Sequence, residues 1–389
     1  MIIHSLSGIF DGYNFIQGPL SVEINDKIIS NIIITDSTIG EINGKNQILS
    51  TPFNDAHTHL IFAGERYFEL SKKLEGKSYS QILSEGGGIQ YTVSQTRKAS
   101  DAELLELVLN RLDTALSFGT LIVEAKSGYG LSFDEEIRLL KILEQANIQH
   151  PVEVVNTFCG AHVFPKEKSK TAYMDEILDD MIPFISKKSL ATSTDVFCDV
   201  GAFSVDETRR ILDKSLSLGL PVRVHGDEIL YTGISQIAAK EYNALSVDHL
   251  LQATENDFTI ISNTPTIVNF MPTAPFGLFV DTIPRDWNKT SVKIGLGSDF
   301  NPNNWTLSMQ TVLRMAVFRY YLHPIQAFRA ATSGSYQSIT GNKMELLSIK
   351  SKATFVILNG KSLEEVISKL GQNLIADIYI EGKRIIWNK

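Results

Sequence analysis

The chain has 389 residues, enough for one large α/β barrel or two ordinary domains. Its 36 Lys and Arg against 44 Asp and Glu give a net charge of −8 with no long run of either sign. That balance argues against nucleic acid or an anionic membrane as partner and favours a small substrate.

The opening Met1-Ile2-Ile3-His4-Ser5-Leu6 has no basic leader region, and no apolar run is long enough to span a bilayer, so a cytoplasmic protein is expected. Leu20–Ile24, Lys27–Ile34 and Ile39–Ile42 read as short strands separated by Gly, Asn and Asp. From Thr51 onward apolar runs alternate with amphipathic helical stretches, the pattern of parallel strands joined by crossover helices. The runs are Thr51–Leu60, Thr120–Lys126, Val152–His162, Asp195–Phe203, Leu220–His225, Ala244–Leu250, Pro265–Met271 and Val292–Asp299. Eight is the number that closes a (β/α)8 barrel. Asp101–Leu116, Phe133–Ala146, Met174–Lys187 and Val205–Leu218 have helical spacing, with Asp101 and Asp206 placed where acidic groups favour a helix start. After about Ser348 the short-strand texture returns in Ala353–Leu358 and Leu374–Ile386, with turn signals at Asn359-Gly360 and Glu381-Gly382-Lys383. The expected fold is therefore an α/β (β/α)8 barrel over 51–347, with a small composite β-sandwich domain built from 1–50 and 348–389. Cys159 and Cys198 both lie in apolar strand-like runs, where a reduced, packed thiol is expected.

In such a barrel the reacting groups sit where strands end. His57 and His59, at i and i+2 after an apolar run, share one strand face. His225 and Asp299 end later runs, and His162 and His249 also fall near strand ends, whereas His4, His150 and His323 do not. His57, His59, His225 and Asp299 make a mixed N/O ligand set for one divalent ion such as Zn or Fe, with a position left for a water of lowered pKa. No lysine lies on the fourth run to bridge a second ion, and Lys126 is expected to form a buried ion pair with Glu124 or a loop contact. Glu228, three residues past His225, is placed to shuttle a proton, Asp299 to accept one, and His249 to orient water or polarise a carbonyl. Arg66 suits a carboxylate clamp. Tyr79 and Tyr129 lie in polar or Gly-containing loops where a phenol can cover a planar ring. Gly86-Gly87-Gly88 lacks the residues of a phosphate loop and reads as a mobile lid.

Taken in order, His57-Thr58-His59-Leu60-Ile61-Phe62-Ala63-Gly64-Glu65-Arg66, Ser127-Gly128-Tyr129-Gly130-Leu131, Gly160-Ala161-His162, Val224-His225-Gly226-Asp227-Glu228, Asp248-His249-Leu250 and Asp299-Phe300-Asn301-Pro302 resemble the imidazolonepropionases of the amidohydrolase superfamily. The resemblance covers the barrel nearly end to end. It implies hydrolysis of the cyclic amide of 4-imidazolone-5-propanoate to N-formimino-L-glutamate in histidine degradation. It further implies His57, His59, His225 and Asp299 as metal ligands and Glu228 and His249 in proton transfer and water activation. Arg66, Tyr79, Tyr129 and His162 would hold the substrate, joined by Asn301 and Asn303. A homodimer acting on a small, carboxylate-bearing molecule is expected. Two segments depart from the family pattern: Asn303-Asn304-Trp305, expected to alter a close backbone approach to the ligand, and Met271-Pro272-Thr273-Ala274-Pro275-Phe276, expected to reshape the pocket floor. The alternative reading is a mononuclear-metal deaminase of a cyclic amidine such as cytosine or guanine, which Arg66 argues against because a neutral base has no carboxylate.

Overall fold

A computed structural model describes residues 1–77, 81–82, 85–280 and 284–386. All eight apolar runs become strands of one parallel sheet, β6 (Phe53–Thr58), β7 (Thr120–Lys126), β8 (Glu153–Ala161), β9 (Ser193–Cys198), β10 (Val222–Gly226), β11 (Ser246–His249), β12 (Ile267–Phe270) and β13 (Lys293–Leu296), each paired with the next. Strands β6, β10, β11 and β12 are buried at every residue. Such strands read as unbroken apolar runs because helices cover one face and side chains fill the other. Where β13 returns to β6 the seam is closed beyond its last residue. Thr58 bridges Phe300, the Asp299 N–H donates to the His57 carbonyl at 2.9 Å, and the His59 N–H donates to the Phe300 carbonyl at 2.9 Å.

The chain ends form a second, mixed sheet. It contains β1 (Ile2–Phe10), β2 (Phe15–Asn25), β3 (Ile28–Ile34), β4 (Ile42–Asn43), β5 (Gln47–Ser50), β14 (Phe355–Asn359), β15 (Ile375–Ile380) and β16 (Lys383–Ile385). The two ends join where β14 runs antiparallel to β5. Alternation gives this sheet two apolar faces. Ile9, Leu49, Phe355 and Ile357 pack in a core of their own, while their neighbours Phe10, Ile48, Val356 and Leu358 belong to the barrel's core.

Local chemistry sets the helix starts. Ser100 with Glu103 and Ser204 with Glu207 form reciprocal capping boxes ahead of Asp101–Ser117 and Val205–Ser217. Some expectations need correction. Met174–Lys187 is not one helix but the end of Lys170–Asp175, a π-helical Glu176–Met181 and Ile182–Lys188. Pro183 has no N–H to continue the ladder, which favours the wider turn before it. Ile39–Ile42 contributes only its last residue to the two-residue β4, and Asn359-Gly360 leads into the short helix Leu363–Ser368 instead of a hairpin. The Glu381-Gly382 turn does join paired strands, β15 and β16. Both cysteines are free and buried. No described helix is long and apolar enough to cross a membrane.

A Cβ on Gly334, in the π-helical Ala330–Gly334, would run into the Ile294 carbonyl of β13, whereas one on Gly371 would meet nothing within 4 Å. Gly334→Ala is therefore expected to lower stability by about 1–3 kcal/mol despite its helical setting, and Gly371→Ala by less than about 0.5 kcal/mol. Urea unfolding of both variants checks this, and equal midpoints would contradict the tight packing of Gly334 on β13.

Candidate active site

Residues two apart on a strand share a face, so one strand presents one side chain deep and another nearer the strand end. Glu124 and Lys126 on β7 do this, as do Arg223 and His225 on β10 and Ser246 and Asp248 on β11. The lowest group is the fully buried Arg223, which donates to Ser193 Oγ, Ser246 Oγ and the Ile339 carbonyl. Next comes an ion cluster in which no side chain is exposed. Lys126 Nζ lies 2.8 Å from Glu124 Oε1, 2.6 Å from Asp195 Oδ2 and 3.9 Å from Asp248 Oδ2. Burial works against the Lys126 ammonium, but Asp195, Glu124 and Asp248 outweigh it and hold the pKa above the ordinary lysine value. Burial also opposes the Asp195 carboxylate, yet Lys126 and His225 keep it well below the usual range.

These two aspartates orient two of the predicted ligands. Asp248 Oδ2 lies 2.7 Å from His57 Nδ1, and Asp195 Oδ1 lies 3.1 Å from His225 Nδ1. Each carboxylate fixes one ring nitrogen and turns the other away. His57 Nε2, His225 Nε2 and His59 Nδ1 are buried and make no hydrogen bond. Asp299 Oδ1 completes the group, 3.6 Å from His57 Nε2 and 3.8 Å from His59 Nε2. Burial depresses His57 and His59 well below the usual imidazole range, with Lys126 adding to the effect on His57 and His162 to that on His59. Both are neutral at pH 7 and carry a lone pair. Burial raises Asp299 to about 7. Buried, unpartnered ring nitrogens beside a carboxylate suit a divalent cation in their chemistry. The ligand atoms of His59, His162 and His225 all lie within 4.8 Å of one another, as do those of His57, His249 and Asp299. The four predicted ligands are thus split between two adjacent clusters, His59 and His225 in one with His162, His57 and Asp299 in the other with His249.

Glu228 Oε1 lies 3.3 Å from His249 Nδ1, and its side chain is only 14% exposed. Burial, then Asp299 and Asp199, push the Glu228 carboxyl up to about 8. Burial with His225 lowers His249 to about 3. A protonated carboxyl beside a neutral imidazole is a pair equipped to pass a proton. The Glu228 backbone is held from below. Asp199 at the end of β9 accepts the amides of Glu228, Ile229 and Leu230 at 3.0, 2.8 and 3.1 Å, and Asp227 accepts those of Thr232, Gly233 and Ser235.

The predicted substrate residues are distributed unevenly. His162 stacks on His59 with centroids 4.7 Å apart and donates from Nδ1 to the Gly128 carbonyl at 3.1 Å. Tyr129 is buried with its ring 5.8 Å from that of His59. Arg66 is not a solvated charge. It is buried, and Glu69 grips its Nε and Nη2 at 2.8 and 3.0 Å while also accepting the Gly88 amide. Tyr79 lies outside the described residues. Asn301 donates to the Asp299 carbonyl and accepts the amides of Asn303 and Asn304, so its polar atoms serve its own loop. Asn303 Oδ1 accepts from Lys73 Nζ at 3.1 Å. The two departures from the family pattern touch, since Asn304 Nδ2 reaches Thr273 Oγ1 at 3.4 Å and both residues bond the Ser298 carbonyl. Sequence reasoning gave no role to Asp195, which opens the fourth run, or to Asp248, which directly precedes His249, because their bonds to His225 and His57 cross between strands. It also missed Asp55, whose Oδ1 accepts the Ser298 amide at 2.8 Å and ties the β6 end to the Asp299 loop.

No family model matches the chain. An imidazolonepropionase of Alkaliphilus metalliredigens (strain QYMF) is 33% identical over 382 residues, covering 97% of this chain and 90% of that protein. Among solved structures, the 5-methylcytosine deaminase from Klebsiella pneumoniae liganded with 5-fluorocytosine superposes with a TM-score of 0.78 at 13% identity, covering 100% of this chain and 98% of that one. Atrazine chlorohydrolase TrzN from Arthrobacter aurescens TC1 complexed with zinc gives 0.72 at 12% identity, covering 100% and 95%. The two structures share the fold.

Removing the ammonium by Lys126→Met leaves buried carboxylates facing one another and is expected to cost about 3–5 kcal/mol, read by urea unfolding. A variant as stable as the parent would show that the cluster is held neutral. A second expectation concerns pH. Glu228 titrates near 8 when folded and near ~4.3 when unfolded, so the folded form binds the extra proton. Its contribution is whole below the unfolded value and is lost as pH rises through the folded one. Glu228→Gln does not titrate, so in chelator-treated protein it should gain stability relative to the parent between pH 5 and 8, by about 1 kcal/mol or more. Melting temperatures across that range test it, and a constant difference would mean Glu228 is already ionised at pH 5.

Proposed function

Because the chain belongs to the imidazolonepropionase family, we propose that it hydrolyses the ring amide of 4-imidazolone-5-propanoate to N-formimino-L-glutamate in histidine degradation. Water adds at the ring carbonyl, the carbon–nitrogen bond breaks, and the proton from water ends on the departing nitrogen. The observation that carries this reading is the convergence of unpartnered imidazole nitrogens and Asp299 beside the Glu228–His249 pair.

His57, His59, His225 and Asp299 would hold one divalent ion, zinc or iron. When bound, such an ion lowers the pKa of water and polarises a carbonyl. Asp195 and Asp248 keep the His225 and His57 rings turned toward the site. Asp299, at the edge of the site, would take the proton released by water. Glu228, already protonated at neutral pH, gives its proton to the ring nitrogen, and the proton taken up by Asp299 restores it. His249, neutral and 3.3 Å from Glu228, would hydrogen-bond the carbonyl oxygen as charge develops on it.

Substrate orientation falls to Arg66, Tyr129 and His162, with Tyr79, Asn301 and Asn303 as further contacts. Glu69 takes the Nε–Nη2 edge of Arg66, leaving the Nη1 end for the propanoate carboxylate. Glu69 would then act as a brace that keeps the guanidinium plane still. A cytosine or guanine offers nothing for that charge, which is why the hydrolase reading is preferred to deamination.

Purified protein incubated with imidazolonepropionate should remove the ring absorbance, with about one metal ion per chain by elemental analysis. Glu228→Gln is expected to lower kcat by about 10²- to 10⁴-fold at unchanged metal content. Arg66→Ala should act mainly through KM, raising it about tenfold or more. Full activity in Glu228→Gln would remove that residue from the mechanism, and turnover of cytosine insensitive to Arg66→Ala would favour the deaminase.

A further inference from the structure

Helix Phe133–Gln149 opens with three consecutive acids, Asp134, Glu135 and Glu136, of which only Glu136 is fully buried. Among the described residues its carboxylate faces neither solvent nor a basic partner. Oε1 accepts the amides of Gly130 and Leu131, both at 2.8 Å, and Oε2 accepts that of Gly128 at 3.0 Å. The Ser127 side chain bonds it too, and Ser127 Oγ in turn accepts the Cys159 amide of β8 at 2.9 Å. The segment from Ser127 to Leu131 is therefore wrapped around one carboxylate. The wrapping is tight, since a Cβ on Gly130 would sit 2.9 Å from Glu136 Oε1, and Gly128 takes a φ of +104° to complete the curve.

That segment carries two of the side chains assigned to the substrate. Tyr129 lies between the amides that Glu136 holds, with its ring 5.5 Å from that of His162. His162 hangs from the same segment through its 3.1 Å bond to the Gly128 carbonyl. Shifting the Gly128 peptide would move both rings. An anion is required at the centre, because three converging N–H groups need acceptor-only atoms and a glutamine would turn an NH2 group against them.

We propose that Glu136 is a positioning residue for substrate binding, its carboxylate gathering the Ser127–Leu131 amides so that Tyr129 and His162 meet the substrate together. This rests on the reading above that those two side chains hold the imidazolone substrate. The test is a set of variants, Glu136→Gln, Tyr129→Phe and the pair combined, each assayed for kcat, KM and metal content. Glu136→Gln is expected to raise KM about tenfold with kcat changed less than about threefold and metal content unaltered. In the double variant the KM increase should fall short of the product of the single effects, because Glu136 acts through Tyr129. Glu136→Asp keeps the charge with a shorter reach and should lie between parent and Glu136→Gln, and it supplies the measurement if the glutamine variant does not fold. If Tyr129→Phe raises KM while the Glu136 variants keep the parent's value, or if the two effects multiply fully, the Glu136 assignment is wrong. If Tyr129→Phe itself keeps the parent's KM, the substrate reading beneath it fails, and this proposal with it.

Discussion

A single ammonium group inside a barrel governs this structure. Lys126 Nζ is the cation that lets Asp195 and Asp248 sit without solvent, and those aspartates set the rings of His225 and His57. A barrel interior is ordinarily filled with layers of branched hydrocarbon. Here Arg223 with its serines forms one layer, the lysine and its carboxylates the next, and the histidines the last. Buried charge is seldom a source of stability, since desolvation offsets most of the attraction. Its use here is orientation, because a ring held at Nδ1 by a fixed carboxylate presents its other nitrogen in one direction only.

The loops above the barrel follow the same logic with backbone in place of lysine. Asp199 gathers the amides of the segment bearing Glu228, Asp227 those of the next turn, and Glu136 those around Tyr129. Each is a carboxylate enclosed by converging N–H groups, a strong and direction-specific arrangement. Loops that carry reacting groups are thereby stiffened at their roots without added secondary structure. Arg111 does related work after β6, donating to the carbonyls of Leu60 and Phe62 while its guanidinium lies 3.7 Å over the Phe62 ring.

Much of this was legible in sequence, for identifiable reasons. Parallel strands buried on both faces leave apolar runs, so all eight barrel strands could be read, and the residues ending those runs gave the histidines and Asp299. The Glu124–Lys126 pair was visible because both partners lie on one strand. Their bonds to Asp195 and Asp248 were not, because they cross between strands far apart in sequence. Strand β1 escaped notice because Ser, Gly and His interrupt its alternation, and its burial comes from being sandwiched by later segments. Arg66 shows the same limit, since its ion pair to Glu69 depends on how the loop after β6 folds back. Asn301, proposed as a substrate contact, also ties its own turn through its amide, a bond that residue type alone does not reveal.

The seam between the first and last barrel strands has a bearing on biosynthesis. Asp55 and Ser298, whose bond helps shut it, stand 243 residues apart. A nascent polypeptide leaving the ribosome exposes His57 and His59 early, but Asp299 emerges only after seven further strands have been translated. Contacts of such long range form late, after shorter-range structure has narrowed the search. A complete set of donors is therefore a property of the finished barrel alone, and a message cut short before its last strand yields a protein with His57, His59 and His225 but no Asp299 to complete them.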